Sequence, residues 1–126
     1  MPVLQSLSNA TGDGSVLDAG PGLADEFSMV IERVTSSGAA TAYLEGSLDG
    51  STWTAMLVCP GSTLTPNGNS GAQCELDLGS SGTGVFNLAS RGVLFRYVRA
   101  TITGGVNANA WVAAKPAGLA VTPPLT

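Results

Sequence analysis

The chain has no histidine, one lysine and two cysteines in 126 residues, and each shortage excludes something. Without histidine, the commonest general base and the commonest transition-metal ligand are missing. Two cysteines alone cannot complete a four-ligand zinc site unless carboxylates are recruited, so no metal is expected. Charged residues make up 11% of the chain and the net charge is -4, against about 25% charged residues in an ordinary soluble domain. A nucleic-acid binder needs clustered Lys and Arg to neutralise phosphates, so no nucleic-acid partner is expected. Long apolar runs are missing too. The nearest, "ATITGGVNANAWVAA" (100–114), is broken by Gly104-Gly105 and two asparagines, whereas a membrane span needs about 20 mainly apolar residues. The first residues lack the basic and apolar regions of a secretory signal. With Met1 in place, synthesis in the cytoplasm is the expectation.

Catalytic signatures are equally scarce. There is no GxSxG, SxxK or Walker lysine, and "GSSGTG" (79–84) is glycine-rich without opening a helix. Glu75 and Asp77 share one face of an expected strand, as a glycosidase pair would. On an edge strand, two acids serve better to discourage edge-to-edge pairing. In "NATGDGSVLDAG" (9–20), Asn9, Thr11 and Asp13 alternate like calcium ligands, but the twelfth position is Gly20, where a bidentate Glu belongs. Asp13 and Asp18 leave a weak cation site open beside the reading as a solvated turn. Neither an enzyme nor a cofactor is expected.

What is present is Ser, Thr, Gly and Ala, with positive mean hydropathy. Such a surface is neutral and easily desolvated, because few ions must lose water on contact. It suits either a small Ala-rich all-β domain or a subunit that lives packed in an assembly. Short apolar segments alternate with Gly, Ser, Asn and Pro breaks. Residues 27–34, 41–48, 52–59, 72–78, 94–102 and 109–115 read as strands, with short additions at 16–17 and 85–86. No helical stripe with caps is visible. The fold class expected is all-β, an antiparallel β-sandwich or jelly-roll-like domain over residues 15–115. Residues 1–14 read as an extended N-terminal arm, and 116–126, with three prolines, as a C-terminal tail.

In "YLEGSLDGSTWTAM" (43–56) a strand breaks at Asp49-Gly50, a pair favoured in tight hairpin turns, and resumes near Trp53. Ala42, Leu44, Gly46 and Leu48 form the expected core face. Trp53 is expected to cap one end of the core, any contact role being secondary. Cys59 and Cys74 flank the loop 60–71, where a disulfide and two buried thiols are equally consistent. In "LFRYVRATI" (94–102) neither face is plainly polar. A strand covered on both sides fits, with its arginines paired to Glu32, Glu45 or Asp49. So does a subunit contact, in which Tyr97 and Arg99 would take part, since Tyr and Arg are enriched there.

"LEGSLDGSTWTAM" followed by "FRYVRATITGG" resembles small β-sandwich structural proteins of tailed bacteriophages, among them capsid decoration (cement) proteins, over roughly residues 27–115. The resemblance implies a non-enzymatic virion subunit on the outer capsid surface, often a trimer, bridging major capsid proteins and stabilising the lattice. The arm residues Pro2, Val3, Leu4 and Leu7, and Leu119 and Val121 of the tail, would then lie along neighbouring subunits and order only on assembly. Deleting residues 1–10 should on that reading leave the domain folded. Similar patterns occur in carbohydrate-binding sandwiches resembling discoidin domains, so a glycan-binding module is the alternative, with Trp53, Tyr43 or Trp111 exposed for stacking. A phage tail or baseplate domain is a further one.

Overall fold

The computed structural model describes residues 2–56 and 75–117. These form ten strands: β1 (Val3–Ala10), β2 (Gly12–Asp13), β3 (Leu17–Asp18), β4 (Ala24–Arg33), β5 (Thr41–Ser47), β6 (Thr54–Ala55), β7 (Glu75–Asp77), β8 (Gly84–Phe95), β9 (Tyr97–Ile102) and β10 (Ala108–Pro116). All pairings are antiparallel. Sheet A has the order β1-β10-β4-β8; in sheet B the order is β2-β9-β5-β6, with β3 also on β9 and β7 also on β5. The expected all-β sandwich is what the chain forms.

Alternation explains the layering. On β4, Phe27, Met29 and Ile31 are buried while Ser28, Val30 and Glu32 are exposed. Ala110, Val112 and Ala114 of β10 are buried, and in sheet B so are Ala42 and Leu44 of β5 and Val98, Ala100 and Ile102 of β9. They belong to one core between the sheets, as period-two strands with one apolar face require. Much of the alanine is therefore core rather than surface.

β8 runs over twelve residues, where the sequence suggests only a short strand at 85–86 and the start of one at 94–102. The structure divides the latter at Arg96 between β8 and β9. The alternation of β8 is disguised, because Val85 points outward and is exposed while Ser90 is buried. At Arg96 the chain passes from sheet A to sheet B, β8 giving way to β9. Arg96 N–H donates to Ser47 O (3.2 Å) and Arg96 O accepts from Ala19 N–H (2.8 Å), which holds the bend. Strands that switch sheets make the corners of such folds. Phe95 comes within 6.3 Å of Phe27, centroid to centroid. A Cβ on Gly46 would stand only 2.5 Å from the Phe95 ring, so glycine leaves the space the ring fills.

The reading of residues 1–14 as an arm is corrected. β1 pairs with β10 from Val3 opposite Ala113 to Ala10 opposite Ala108, with register shifts between Gln5 and Leu7 and between Leu7 and Ala10. The first shift lets two consecutive residues, Ser6 and Leu7, both turn inward, which strict alternation forbids. Ser6 Oγ accepts from Ala100 N–H (3.0 Å) and donates to Ser15 O (2.8 Å). Leu7 is 2% exposed and sits in the core; burying a leucine stabilises by roughly 1.5–3 kcal/mol. This segment joins both sheets, so its removal is expected to strip contacts from the core instead of leaving the domain intact.

Arg33 closes one end of the sandwich. It is buried, donating from Nε to Thr35 O (2.8 Å), from Nη1 to Leu78 O (3.1 Å) and Gly79 O (2.9 Å), and from Nη2 to Gly38 O. Carbonyls satisfy a buried cation that has no ion pair among the described residues. At the other terminus, Pro116 ends β10 and Ala117 N–H donates to Leu23 O (3.0 Å). The tail from 118, with Leu119 and Val121, lies outside the described residues. So do Cys59, Cys74 and the loop 60–71.

Candidate interaction surfaces

Sheet B carries the hairpin of β5 and β6. Glu45 pairs with Ala55 and Gly46 with Thr54, so the connection spans 47–53 and is longer than a two-residue Asp-Gly turn. Within it, Asp49 Oδ1 accepts from the N–H groups of Ser51 and Thr52 (both 2.8 Å), while Ser47 Oγ accepts from Gly50 N–H (2.9 Å). Ser47 turns inward for this and Leu48 outward, so Leu48 leaves the expected core face. The Thr52 and Ser51 amides, with the Ser47 hydroxyl, pull the Asp49 carboxyl down to about 2.

Trp53 is not the core cap expected of it. Ala55 lies opposite Glu45 on the outer face, and Trp53, two residues earlier, lies on that same side. The Arg99 guanidinium stacks 4.2 Å from its ring centroid. Arg99 Nε also donates to Glu45 Oε1 (2.9 Å), and Nη2 lies 3.5 Å from Asp13 Oδ2. Thr101 Oγ1 is 2.8 Å from Glu45 Oε1 and 3.2 Å from Asp13 Oδ1. Next to this cluster, Arg96 stacks 5.2 Å from the Tyr97 ring and pairs with Asp18 at 2.8 Å. That bond, with the Gly20 amide, lowers the Asp18 carboxyl below its ordinary range. Of the expected arginine partners, Glu45 is correct. Arg96 instead takes Asp18, Glu32 accepts from Asn109 Nδ2 (3.2 Å), and Asp49 serves its own loop. Asp13 lies opposite Thr101 and Asp18 opposite Tyr97, four residues apart along β9, and each faces its own arginine, so the two are not brought into one cation loop. Asp77 accepts from Gly79 N–H (2.8 Å) on the short strand β7.

The outer face of sheet A is built from rows that run across the strands. One joins Trp111 of β10, Val30 of β4 and Asn87 of β8; the next joins Ala113, Ser28 and Ala89; a third joins Lys115, Glu26 and Arg91. On the far side of Trp111 comes Asn109, Glu32 and Val85. Val30, Val85, Trp111 and, on β1, Val3 are all exposed. The small residues of the second row leave an open depression of about 410 Å³, walled by Glu26, Arg91 and Lys115 over Phe27 and Ser90. Lys115 pairs with Glu26 at 3.4 Å. Among the described residues Arg91 alone of the five cations makes no ion pair or side-chain hydrogen bond.

The expected contact residues are not brought to one place. Val3 is exposed on sheet A, Leu4 is partly buried against the core, Leu7 is inside it, and Pro2 O accepts from Ala114 N–H (3.1 Å). Tyr97 and Arg99 are half-buried on sheet B, and Arg99 already has its partners. The residues missed are Val30, Val85 and Arg91; the signal available was an outward valine in each of two alternating strands. Against known protein families, curated proteins and solved structures, the chain finds no match.

Proposed function

We propose that the chain is a non-enzymatic structural subunit of a virion, of the capsid-decoration type, which binds the outer surface of a phage capsid lattice together with copies of itself. It would be made in the host cytoplasm and act on the assembled head. The observation that carries this reading is how the charges are spent. Arg33 is turned onto backbone carbonyls, and Arg96, Arg99 and Lys115 are matched by carboxylates of the same chain. The resulting surface offers broad sheet faces with little ionic hydration to strip, which suits extensive contact with a lattice. The motif resemblance supplies the capsid; the paired charges supply the physical reason that such a chain adheres.

The test is co-sedimentation with capsids assembled without accessory proteins. Saturable binding at a fixed ratio to the major capsid protein, with raised thermal stability of the shell, is the expected result. Absence of binding to a range of head lattices would overturn the lattice role. A glycan-binding module is favoured by one observation, the exposed indole of Trp111. That reading predicts quenching of tryptophan fluorescence by a host-surface oligosaccharide, with the quench lost in Trp111→Ala.

A further inference from the structure

We propose that the outer face of sheet A is a two-fold interface between two copies of this chain. The axis would lie in the interface and run across the strands, midway between the Ser28 row and the Val30 row. The inference rests on the self-association part of the reading above and not on its lattice part.

The register fixes what such an axis brings together. It reverses strand direction and keeps lateral order, so β4 lies over β4, β10 over β10 and β8 over β8. Val30 of one copy then meets Ser28 of the other, Asn87 meets Ala89, and Trp111 meets Ala113. Across β10, β4 and β8 large side chains enter small ones, and the indole enters the depression of about 410 Å³. On β1, Val3 continues the Ala113 row and meets Gln5 of the other copy. The same operation brings Glu32 over Glu26 of the other copy, between Lys115 and Arg91. That row carries two cations and one carboxylate, while the row of Glu32 carries a carboxylate alone, so the two rows are complementary. Arg91 gains in this way the counter-charge that it lacks among the described residues. A two-fold axis along the strands instead would set the rows on their own equivalents. Large would then face large, the two depressions would face each other, and the Glu32 rows, each with a carboxylate and no cation, would meet. Packed sheets keep their strand directions within about 30° of one another, so row-to-row opposition survives across four strands.

Size sets the expected strength. Four strands at about 4.8 Å spacing and seven residues at about 3.4 Å rise make a face roughly 20 Å on a side, about 800 Å² over both copies, which is in the range of weak, transient interfaces. A dimer that dissociates on dilution through the micromolar range is therefore expected. Isologous contacts use the same patch on both copies, so a charge change at either row is felt twice.

The experiment is sedimentation equilibrium of the full chain across the micromolar range, on four proteins: wild type, Arg91→Glu, Glu32→Arg, and the double reversal. All substitutions are on exposed side chains, and circular dichroism confirms the fold of each. Wild type should follow a monomer–dimer equilibrium. Each single reversal should weaken it at least about tenfold, and the double reversal should recover most of the loss because the new charges again face each other. Trp111→Ser should abolish the dimer with the fold unchanged. Three results would each overturn the proposal: a trimer, a monomer at every concentration, or a dimer indifferent to the single reversals. Lattice co-sedimentation reads separately, so failure of the capsid role leaves this result standing.

Discussion

The outer faces of the two sheets are made from equally alternating strands and finish differently. On sheet B, Arg99 is shared among Glu45, Asp13 and the Trp53 ring, and Arg96 between Asp18 and the Tyr97 ring. On sheet A, valines and an indole stand exposed and Arg91 has no counter-charge among the described residues. In a chain with so few charges, where each one is spent distinguishes a surface completed internally from one awaiting a partner. The large polar and aromatic side chains of sheet B satisfy one another, and those of sheet A leave knobs, holes and a cation without a counter-charge among the described residues.

The most drastic way to break this comparison is to remove the strand on which both sheets depend. Deleting residues 1–10 takes away an edge of sheet A, the Leu7 side chain from the core and the Ser6 hydrogen bond to Ala100 of sheet B. The loss should reach at least about 3–5 kcal/mol, a large share of the roughly 5–15 kcal/mol that holds a domain together. The truncated chain is expected to lose its cooperative melt, as followed by circular dichroism. A sharp transition within a few degrees of the full chain would return the segment to the status of an arm.

A finer comparison sets one arginine against the other. Arg99→Ala strips Glu45 and Asp13 of their cation and Trp53 of its stacking partner. With Arg99 largely covered and Asp13 exposed, the cost should be about 1–2 kcal/mol in urea unfolding. Arg91→Ala removes an exposed side chain with no ion pair among the described residues and should stay within about 0.5 kcal/mol of wild type in the monomer. Equal costs would erase the distinction between the faces. Measured under dimer-forming conditions, the order should narrow, because Arg91 matters only when a second copy is present.

How far this was readable beforehand follows from the physics of each segment. The core strands β4, β5 and β10 announce themselves by their apolar inward positions, whereas β9 is recognisable as a strand but not by its faces, because Tyr97 and Arg99 face outward without making that side plainly polar. β1 hides because its bulge turns Ser6 and Leu7 the same way, which cancels the period of two. β8 hides because an inward Ser90 and an outward Val85 invert the usual code. Trp53 reads from the sequence as a core cap, whereas the pairing of Ala55 with Glu45 puts it on the outer face beside Arg99. Asp49 holds a longer loop than Asp-Gly suggests, and the lengthened loop sets the register that places Ala55 opposite Glu45. The pairing of Arg99 with Glu45 was legible from composition, since a nearly uncharged strand must match its arginine with something close. That of Arg96 with Asp18 was not, because it depends on the corner at which β8 passes into β9.

The smallest effect expected is on the acid limb of stability, and it belongs to the sheet B side. Asp49 has its folded-state carboxyl lowered to about 2 by the Thr52 and Ser51 amides and the Ser47 hydroxyl, and Asp18 is lowered by Arg96 and the Gly20 amide. A carboxyl with a depressed folded pKa contributes stability that is fully present above its unfolded value near 3.9. That contribution is lost as pH falls through the folded value, so the window for Asp49 runs from about pH 4 down to about pH 2. Both groups are at the surface, so salt screens the ionic contribution of the Asp18 pair, whereas the amide bonds to Asp49 depend on protonation more than on ionic strength. Asp49→Asn should therefore flatten the fall in melting temperature across that window at high salt as well as low. Asp18→Asn should flatten it chiefly at low salt. Indistinguishable profiles for the two variants would mean that the loop of Asp49 is held by its backbone alone, and that the carboxylate follows the turn instead of setting it.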